Sequence, residues 1–111
     1  MMSLEKKRIA AIDIGSNAIR MVLAEFSPRG LLLLKKYRIP IRLGADVFEK
    51  GRISGKNLRA AARAFRKFRE ISDKSQVMRI RAVGTSALRE AKNRGAFLEL
   101  IRRKSGIRIE V

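Results

Sequence analysis

The fold of this chain is decided by one stretch, Ile9-Ala10-Ala11-Ile12-Asp13-Ile14-Gly15-Ser16-Asn17-Ala18-Ile19-Arg20-Met21-Val22-Leu23. Its first run, from Ile9 to Ile14, is almost wholly apolar, which is typical of a central strand covered on both faces. A short polar turn follows at Gly15, and a second apolar run begins at Ala18. The pattern predicts two buried neighbouring strands joined by a tight turn.

The turn between these strands gathers groups that bind phosphate and metal. Ser16 and Asn17 offer hydroxyl, amide and backbone N–H donors beside the carboxylate of Asp13. Gly15 can adopt the backbone angles of a sharp reversal and has no Cβ to obstruct an anion. Such a set suits a phosphate chain that carries a divalent cation. The alternative is an ordinary hairpin turn in which Asp13 only accepts local N–H bonds.

Composition limits the chemistry that the chain can perform. With 111 residues, 46% of them hydrophobic, we expect one domain with a modest core. The absence of cysteine excludes disulfides and thiolate zinc sites, and the absence of histidine excludes a histidine base or Ser–His pair. No secretory signal or membrane-spanning segment is visible, so we expect a cytoplasmic protein with no membrane partner.

The charge is strongly basic, with 27 lysines and arginines against 10 acidic residues and a net charge of +17. This excess favours a polyanionic partner such as nucleic acid, polyphosphate or a nucleotide. Part of it lies on one helix, whose polar face carries Arg59, Arg63, Arg66, Lys67 and Arg69. That helix could lie on DNA or an anionic membrane. The simpler interpretation is that it packs on the sheet and that its cations only face solvent.

The remaining elements follow from hydrophobic periodicity and turn residues. We expect strands from about Arg8, from Ala18 to Phe26, from Leu31 past Pro40 to Leu43, from Val77 to Val83 and from Ile107 to Val111. A loop over Gly44 to Arg52 precedes a helix from Gly55 to Ile71, which Ser54 caps. A second helical segment follows Ser86, breaks near Asn93 and resumes from Ala96 to Lys104, before a left-handed Gly106.

These elements predict an α/β fold in the order β-β-β-α-β-α-β with a mixed five-stranded sheet. The fourth strand follows a long helix and is expected to run parallel to the first. Its end carries Gly84-Thr85-Ser86, with Arg89 one helical turn later. Ligands of such sheets gather beyond the carboxyl ends of parallel strands, where helix N-termini and an arginine attract phosphate. Alternatively, Arg89 is a surface residue paired with Glu90 or Glu99.

Several segments resemble one known family. Asp13-Ile14-Gly15-Ser16-Asn17 resembles the first phosphate loop of the actin/Hsp70/sugar-kinase superfamily, whose fold is ribonuclease H-like. More narrowly, the chain is similar to the exopolyphosphatase and guanosine pentaphosphate phosphohydrolase family. The matching segments, in order, are Arg42-Leu43-Gly44, Gly51-Arg52-Ile53-Ser54, Ala82 to Asn93, Phe97 and Ser105-Gly106-Ile107.

The resemblance implies a magnesium-dependent hydrolase that releases terminal phosphate from polyphosphate or guanosine pentaphosphate. By this resemblance Asp13 holds the metal or its waters. Phosphate contacts are assigned to Gly15, Ser16, Asn17, Thr85, Ser86 and Arg89. Arg20 and Arg42 are assigned to guiding the polyanion or nucleotide. Thr85 as a simple helix cap and Arg20 as an exposed strand residue are the structural alternatives.

The resemblance also places the glutamate that activates water beyond Val111, with a second phosphate loop after it. Glu110 lies within the last strand and does not match that position. We therefore expect an amino-terminal portion of a longer phosphatase, inactive alone, whose partner is the remaining carboxy-terminal part. The exposed sheet edge at Ile107 to Val111 also leaves a homodimer open.

Three other functions compete with this one. A sugar-kinase or acetate-kinase relative would share the first phosphate loop, but the run from Thr85 to Asn93 argues against it. A basic nucleic-acid-binding module explains the charge, although no helix-turn-helix or zinc motif is present. A ribonuclease H-like nuclease would need several carboxylates around two metals, and the first strands supply few.

Overall fold

The computed structural model describes residues 6–111, which form one sheet with helices. Strands β1, β2 and β3 form a meander, and the later strands follow helices. The bounds are β1 Lys7–Ile14, β2 Ala18–Ser27, β3 Gly30–Pro40, α1 Leu43–Lys50, α2 Gly55–Lys74, β4 Arg79–Gly84, α3 Ser86–Glu90, α4 Arg94–Ser105 and β5 Ile109–Glu110.

The sheet has the strand order β3-β2-β1-β4-β5. The β1–β2 and β2–β3 pairs are antiparallel, whereas β4 runs parallel to β1 and β5 runs parallel to β4. This arrangement confirms the predicted α/β class, the mixed five-stranded sheet and the parallel fourth strand. The carboxyl ends of β1 and β4 therefore meet at one edge of the sheet, where ligands of such folds bind.

The core lies between the helices and one face of the sheet. Phe65 and Phe68 of α2 and Phe97 of α4 are fully buried, and the rings of Phe65 and Phe68 meet edge to face at 6.1 Å between centroids. The Ser54 hydroxyl accepts a hydrogen bond from the Asn57 amide at 3.2 Å, so the predicted cap of α2 is confirmed. The apolar face of α2, opposite the predicted polar face, is thus the face that packs on the sheet.

Strand β1 is covered on one face only, so the expectation of a strand buried on both faces is wrong. Ala10, Ile12 and Ile14 are buried, whereas Ala11 and Asp13 are exposed. Within residues 6–111 the helices pack on the side of the buried set. The other side carries Ala11, Asp13 and their neighbours, and is called the open face below.

The predicted loop over Gly44 to Arg52 is instead helix α1 for most of its length, and β3 ends at Pro40 rather than at Leu43. Leu43 and Val47, one helical turn apart, are buried against the core. Gly51 ends the helix with a left-handed φ of 77° and donates to the Val47 carbonyl at 2.7 Å. The apolar spacing of Leu43 and Val47 and the terminal Gly51 are visible in the sequence. They span only eight or nine residues, which is too short to indicate a helix by periodicity.

Other boundaries moved by a few residues. Helix α2 continues to Lys74, β4 begins at Arg79 rather than Val77, and β5 has two residues rather than five. The helical segment after Ser86 ends at Glu90, because Ala91 is extended, and α4 already begins at Arg94. The predicted left-handed Gly106 is confirmed, with a φ of 74°.

A polar network joins α1 to the start of α2. The Asp46 carboxylate accepts hydrogen bonds from the Ser54 amide at 2.9 Å and the Asn57 side-chain amide at 2.8 Å. Burial raises the pKa of Asp46, but these bonds and the nearby Lys50 charge outweigh it and leave the pKa below its ordinary value. Asp46 is therefore ionised at neutral pH and fixes the link between the two helices.

The two edges of the sheet differ in length. Edge strand β3 has eleven residues and exposes the run from Leu31 to Leu34, whereas edge strand β5 has two. A dimer through the short β5 edge stays a prediction. No helix within residues 6–111 is long and apolar enough to span a membrane.

Candidate functional site

Three loops meet at the carboxyl end of β1, and the turn of residues 15–17 lies at their centre. The Ser16 carbonyl accepts a hydrogen bond from the Gly44 amide at 2.8 Å, and the Asn17 carbonyl accepts one from the Ile41 amide at 3.2 Å. From the other side, the amide of Thr85 donates to the Ile14 carbonyl at 3.3 Å. The turn is thus fixed both by the β3–α1 link and by the end of β4.

Four donor groups of the turn are open to a ligand. The amides of Ser16 and Asn17 form no backbone hydrogen bond within residues 6–111, nor do their side chains bond to any of those residues. Asn17 is exposed and Ser16 is half-buried. The Gly15 amide is different, because it donates to the Ala18 carbonyl at 3.0 Å and closes the turn. Its N–H is therefore not available to a phosphate.

Gly15 serves the turn through its missing side chain rather than through unusual backbone angles. Its φ is not positive, since the only glycines with a positive φ within residues 6–111 are Gly30, Gly51 and Gly106. A Cβ at Gly15 would lie 3.3 Å from the Ala18 carbonyl oxygen and 3.7 Å from the Arg20 guanidinium. A Cβ here would also lie 3.9 Å from the Asp13 carboxylate, so glycine lets the turn close tightly against Ala18.

Asp13 and Arg20 face each other across β1 and β2. They are register partners, and the Asp13 Oδ2 atom lies 3.9 Å from the Arg20 Nη1 atom. Both side chains are about half exposed, at 55% and 49%. At this distance and exposure the pair is a weak ion pair, so either group is free to engage a ligand. The predicted metal ligand and the predicted anion guide therefore stand side by side at the turn.

Thr85 ties β4 to β1 rather than capping α3. Its hydroxyl donates to the Ile14 carbonyl at 3.3 Å, and no side-chain cap bond forms at the start of α3. The hydroxyl proton is thus already used, and the simple-cap alternative does not apply. Ser86, the first residue of α3, is exposed and its side chain bonds to no other part of residues 6–111. Its assignment to phosphate stays a prediction.

Arg89 is not paired with either glutamate that the sequence offered. Glu99 instead binds Arg102, with contacts of 2.6 Å and 3.1 Å. The exposed guanidinium of Arg89 has no ion-pair partner within residues 6–111. It projects from the first turn after β4, so it remains available to an anion, but no contact joins it to the Ser16 turn.

Arg42 lies near the turn because residues on both sides of it are hydrogen-bonded to the turn. It occupies the N-cap position of α1, between the two residues that bond to the turn, Ile41 and Gly44. Its side chain is exposed and forms no ion pair within the described part of the chain. Prediction from the sequence missed that a helix begins here, and thus that its amino end abuts the Ser16 turn.

The matching segment from Ala82 to Asn93 ends in a structural clamp. The Asn93 side chain accepts a hydrogen bond from the Ile53 amide and donates one to the Ile53 carbonyl, both at 2.9 Å. The Lys92 amide also donates to the Gly51 carbonyl at 2.8 Å. These bonds fasten the α3–α4 link to the α1–α2 link. Both hydrogen-bonding groups of the Asn93 side chain are therefore engaged in holding these two links together.

Asp13 is the one predicted metal ligand, and no cluster of three or more acidic, histidine or cysteine side chains occurs within residues 6–111. Glu110 is exposed and pairs with Arg81 at 3.2 Å. Magnesium commonly takes only one or two carboxylates, with waters and substrate phosphates completing its shell. An exposed carboxylate beside open phosphate donors fits that mode of binding.

A second charged feature lies on the outer face of α2. Its exposed cations have no ion-pair partner within the described residues; they are Arg59, Arg63, Arg66 and Lys67. By contrast, Arg69 is held by Asp73 at 3.6 Å and by the Ser105 carbonyl at 2.9 Å. This outer face and the Ser16 turn are the two candidate sites for an anion.

Comparison with known proteins identifies a matching family and several relatives. The Ppx/GppA phosphatase family matches residues 21–111. Exopolyphosphatase 2 of Mycobacterium tuberculosis is 34% identical over 98 residues, which are 84% of this chain and 30% of that protein. Guanosine-5'-triphosphate,3'-diphosphate pyrophosphatase of Vibrio parahaemolyticus is 31% identical over 102 residues, 92% of this chain and 20% of that protein.

Solved structures agree with these matches. The crystal structure of the Aquifex aeolicus member of the Ppx/GppA family superposes with a TM-score of 0.92 at 32% identity. The match covers 96% of this chain and 35% of that one. An exopolyphosphatase from Cytophaga hutchinsonii superposes with a TM-score of 0.90 at 28% identity. The chain thus spans between 20% and 35% of the length of these relatives.

Proposed function

This chain belongs to the Ppx/GppA phosphatase family, and on that premise we propose that it provides the first phosphate-binding loop of a phosphoanhydride hydrolase. The substrate proposed for the whole protein is polyphosphate or guanosine pentaphosphate, by likeness to relatives named for both activities. The observation that carries the proposal is the set of open donors at Ser16 and Asn17 beside the exposed Asp13. Since fold alone does not define function, this local chemistry matters more than the superposition.

The terminal phosphate binds in the turn. The amides of Ser16 and Asn17, with the serine hydroxyl and the asparagine amide, donate to its oxygens. Arg20 adds a positive charge at the rim of the turn. Because the β3–α1 link and β4 both hold the turn, these donors are oriented before the ligand arrives, which lowers the entropic cost of binding.

Asp13 would hold a magnesium ion, directly or through water, beside the bound phosphate. Such an ion supplies neutralisation of the negative charge on the phosphate oxygens. In the ligand-free chain the Asp13 carboxylate faces Arg20 at 3.9 Å, a separation long enough for the pair to part without much cost. Arg20 is then free to turn toward the phosphate.

Hydrolysis is proposed for the whole protein rather than for these 111 residues. In-line transfer requires the attacking water, its base and the phosphate to be held together. The residue that the family resemblance assigns to that base is not among the 111, and Glu110 is engaged by Arg81. We therefore expect the isolated chain to release no phosphate from polyphosphate and magnesium in a phosphate-release assay. Release that disappears on Asp13→Asn would contradict this expectation.

Binding is tested by calorimetric titration with tripolyphosphate, with and without magnesium. We expect magnesium to strengthen binding by the native chain, and Asp13→Asn to abolish that gain while preserving magnesium-free binding. Asp73→Asn is the matched control, because it removes the same charge from an exposed residue of α2. If the two variants respond to magnesium alike, Asp13 has no special role and the metal assignment fails.

The outer face of α2 supports nucleic-acid binding as a second candidate function. The row of unpaired cations on this face, defined above, fits the phosphate backbone of a nucleic acid. No aromatic side chain is exposed on α2 to stack on bases, so binding would involve the backbone rather than unpaired bases. Binding of this kind would weaken steeply with salt. Unlike the proposed site, it would not respond to Asp13→Asn.

A further inference from the structure

The sheet register places a second arginine beside the candidate site. Arg20 of β2 has Asp13 of β1 as its partner on one side and Arg38 of β3 on the other. Directly opposite residues of antiparallel strands project from the same face. Asp13, Arg20 and Arg38 therefore form one row across the open face, level with the end of β1.

The row has an excess of positive charge. Two arginines directly opposite each other repel, and such a pair is destabilising unless an anion lies between them. Asp13 lies 3.9 Å from Arg20, whereas Arg38 is exposed and has no ion-pair partner within residues 6–111. Lys36, two residues along β3 and so on the same face, is also exposed and unpaired within that range. One carboxylate thus stands against three cations.

Arg20 and Arg38 lie at increasing distance from β1, on β2 and β3. Neighbouring strands are about 4.8 Å apart, so the row from Asp13 to Arg38 extends roughly 10 Å across the open face. A phosphate chain whose end lies at Ser16 and Asn17 would pass Arg20 first and Arg38 next. The repulsion between the two arginines would be relieved by a phosphate unit placed between their guanidinium groups.

We infer that Arg38, with Arg20, forms a second phosphate subsite that binds the third unit from the end of a linear phosphate chain. The inference rests on the proposed function, because the first unit is taken to lie in the turn. The ligand chemistry is a run of phosphates longer than two, in an inorganic chain or the arm of a nucleotide. The subsite makes affinity depend on chain length.

The test compares pyrophosphate with a longer linear inorganic polyphosphate, using calorimetry on the full 111-residue chain. We expect Arg38→Gln to weaken binding of the long chain about two- to fivefold, as an exposed charge pair allows, and to leave pyrophosphate binding unchanged. Guanosine triphosphate is the third ligand. If Arg38→Gln weakens guanosine triphosphate binding as much as polyphosphate binding, the subsite accepts the third phosphate of either ligand. If guanosine triphosphate binding is weakened less, the subsite is specific for the inorganic chain.

Arg79→Gln is the matched control. Arg79 is exposed on the same face of the sheet and has no ion-pair partner within the described residues. It precedes Val83, the β4 partner of Asp13, by four residues, which places it about 13 Å along the strand from the row. Equal losses in both variants would show a general charge effect and overturn the subsite.

Stability of the ligand-free chain gives an independent readout. Because Arg38 repels Arg20, Arg38→Gln is expected to raise Tm slightly at low salt, and the gain should shrink as salt is added. A lower Tm for Arg38→Gln would mean that Arg38 stabilises the ligand-free fold, and would contradict the inference. If the native chain binds no phosphate at all, the proposed function fails; if pyrophosphate binds but Arg38 has no effect on long chains, only the subsite fails.

Discussion

Asn93→Ala is expected to lower the free energy of unfolding by about 2–4 kcal/mol. The side chain forms two hydrogen bonds of 2.9 Å, one to the amide and one to the carbonyl of Ile53, a residue that is 1% exposed. Removal leaves both backbone groups buried without partners, and each carries its own desolvation cost. Urea unfolding monitored by circular dichroism measures the loss.

Asn17→Ala is the control for this prediction. Asn17 is exposed and its side chain bonds to no other residue of 6–111, so its replacement should change the unfolding free energy by less than about 0.5 kcal/mol. It should nevertheless weaken tripolyphosphate binding, since it belongs to the proposed turn. If Asn93→Ala is no more destabilising than Asn17→Ala, the clamp is not what secures the α1–α2 link.

Gly44→Ala is expected to damage both stability and binding. Gly44 is buried, and a Cβ there would lie 2.8 Å from the Ser16 Cβ and 3.3 Å from its carbonyl oxygen. The phosphate turn must therefore move, at a cost of about 1–3 kcal/mol for overpacking. Because Ser16 supplies proposed donors, we also expect tripolyphosphate affinity to fall about tenfold. Thermal unfolding and calorimetry measure the two effects.

Gly95→Ala separates this steric effect from helix propensity. Both glycines are the second residue of their helix, but a Cβ at Gly95 would have no atom within 4 Å. Alanine there should stabilise the chain by about 0.5–1 kcal/mol, the usual gain for glycine to alanine in a helix. Stabilisation by both variants would show that the Ser16 turn yields easily and that its position is not tightly set.

The fold was predictable where periodicity was long or turn residues were strong. The apolar runs of β1 and β2, the capped helix α2 and the left-handed Gly106 all carried local signals, and the structure confirms these elements, although β1 is buried on one face only. Helix α1 was missed because eight residues give little periodicity and Gly44 suggested a loop. Its glycine is explained only by its contact with Ser16, which lies 28 residues earlier and is not visible in local sequence.

The sequence indicated which candidate residues lie near one another but not which partners they bond to, and their roles stay predictions. The sequence singled out Asp13, Arg20 and the turn, and the structure brings Asp13 and Arg20 to 3.9 Å. It could not indicate that the Gly15 amide and the Thr85 hydroxyl are already bonded, because those bonds depend on the tertiary approach of backbone carbonyls. Arg38 was missed for a similar reason, since its place beside Arg20 follows from the β2–β3 register.

The central claim is that phosphate binds at the turn, and amide chemical shifts measured by NMR test it most directly. The isotope-labelled chain is titrated with tripolyphosphate and magnesium at physiological salt, where general charge attraction is partly screened. We predict shifts concentrated at Gly15 to Asn17, at Arg20 and at Gly84 to Arg89. Shifts spread instead over Arg59, Arg63 and Arg66 of α2, fading as salt rises, would contradict the account and favour a basic nucleic-acid-binding surface.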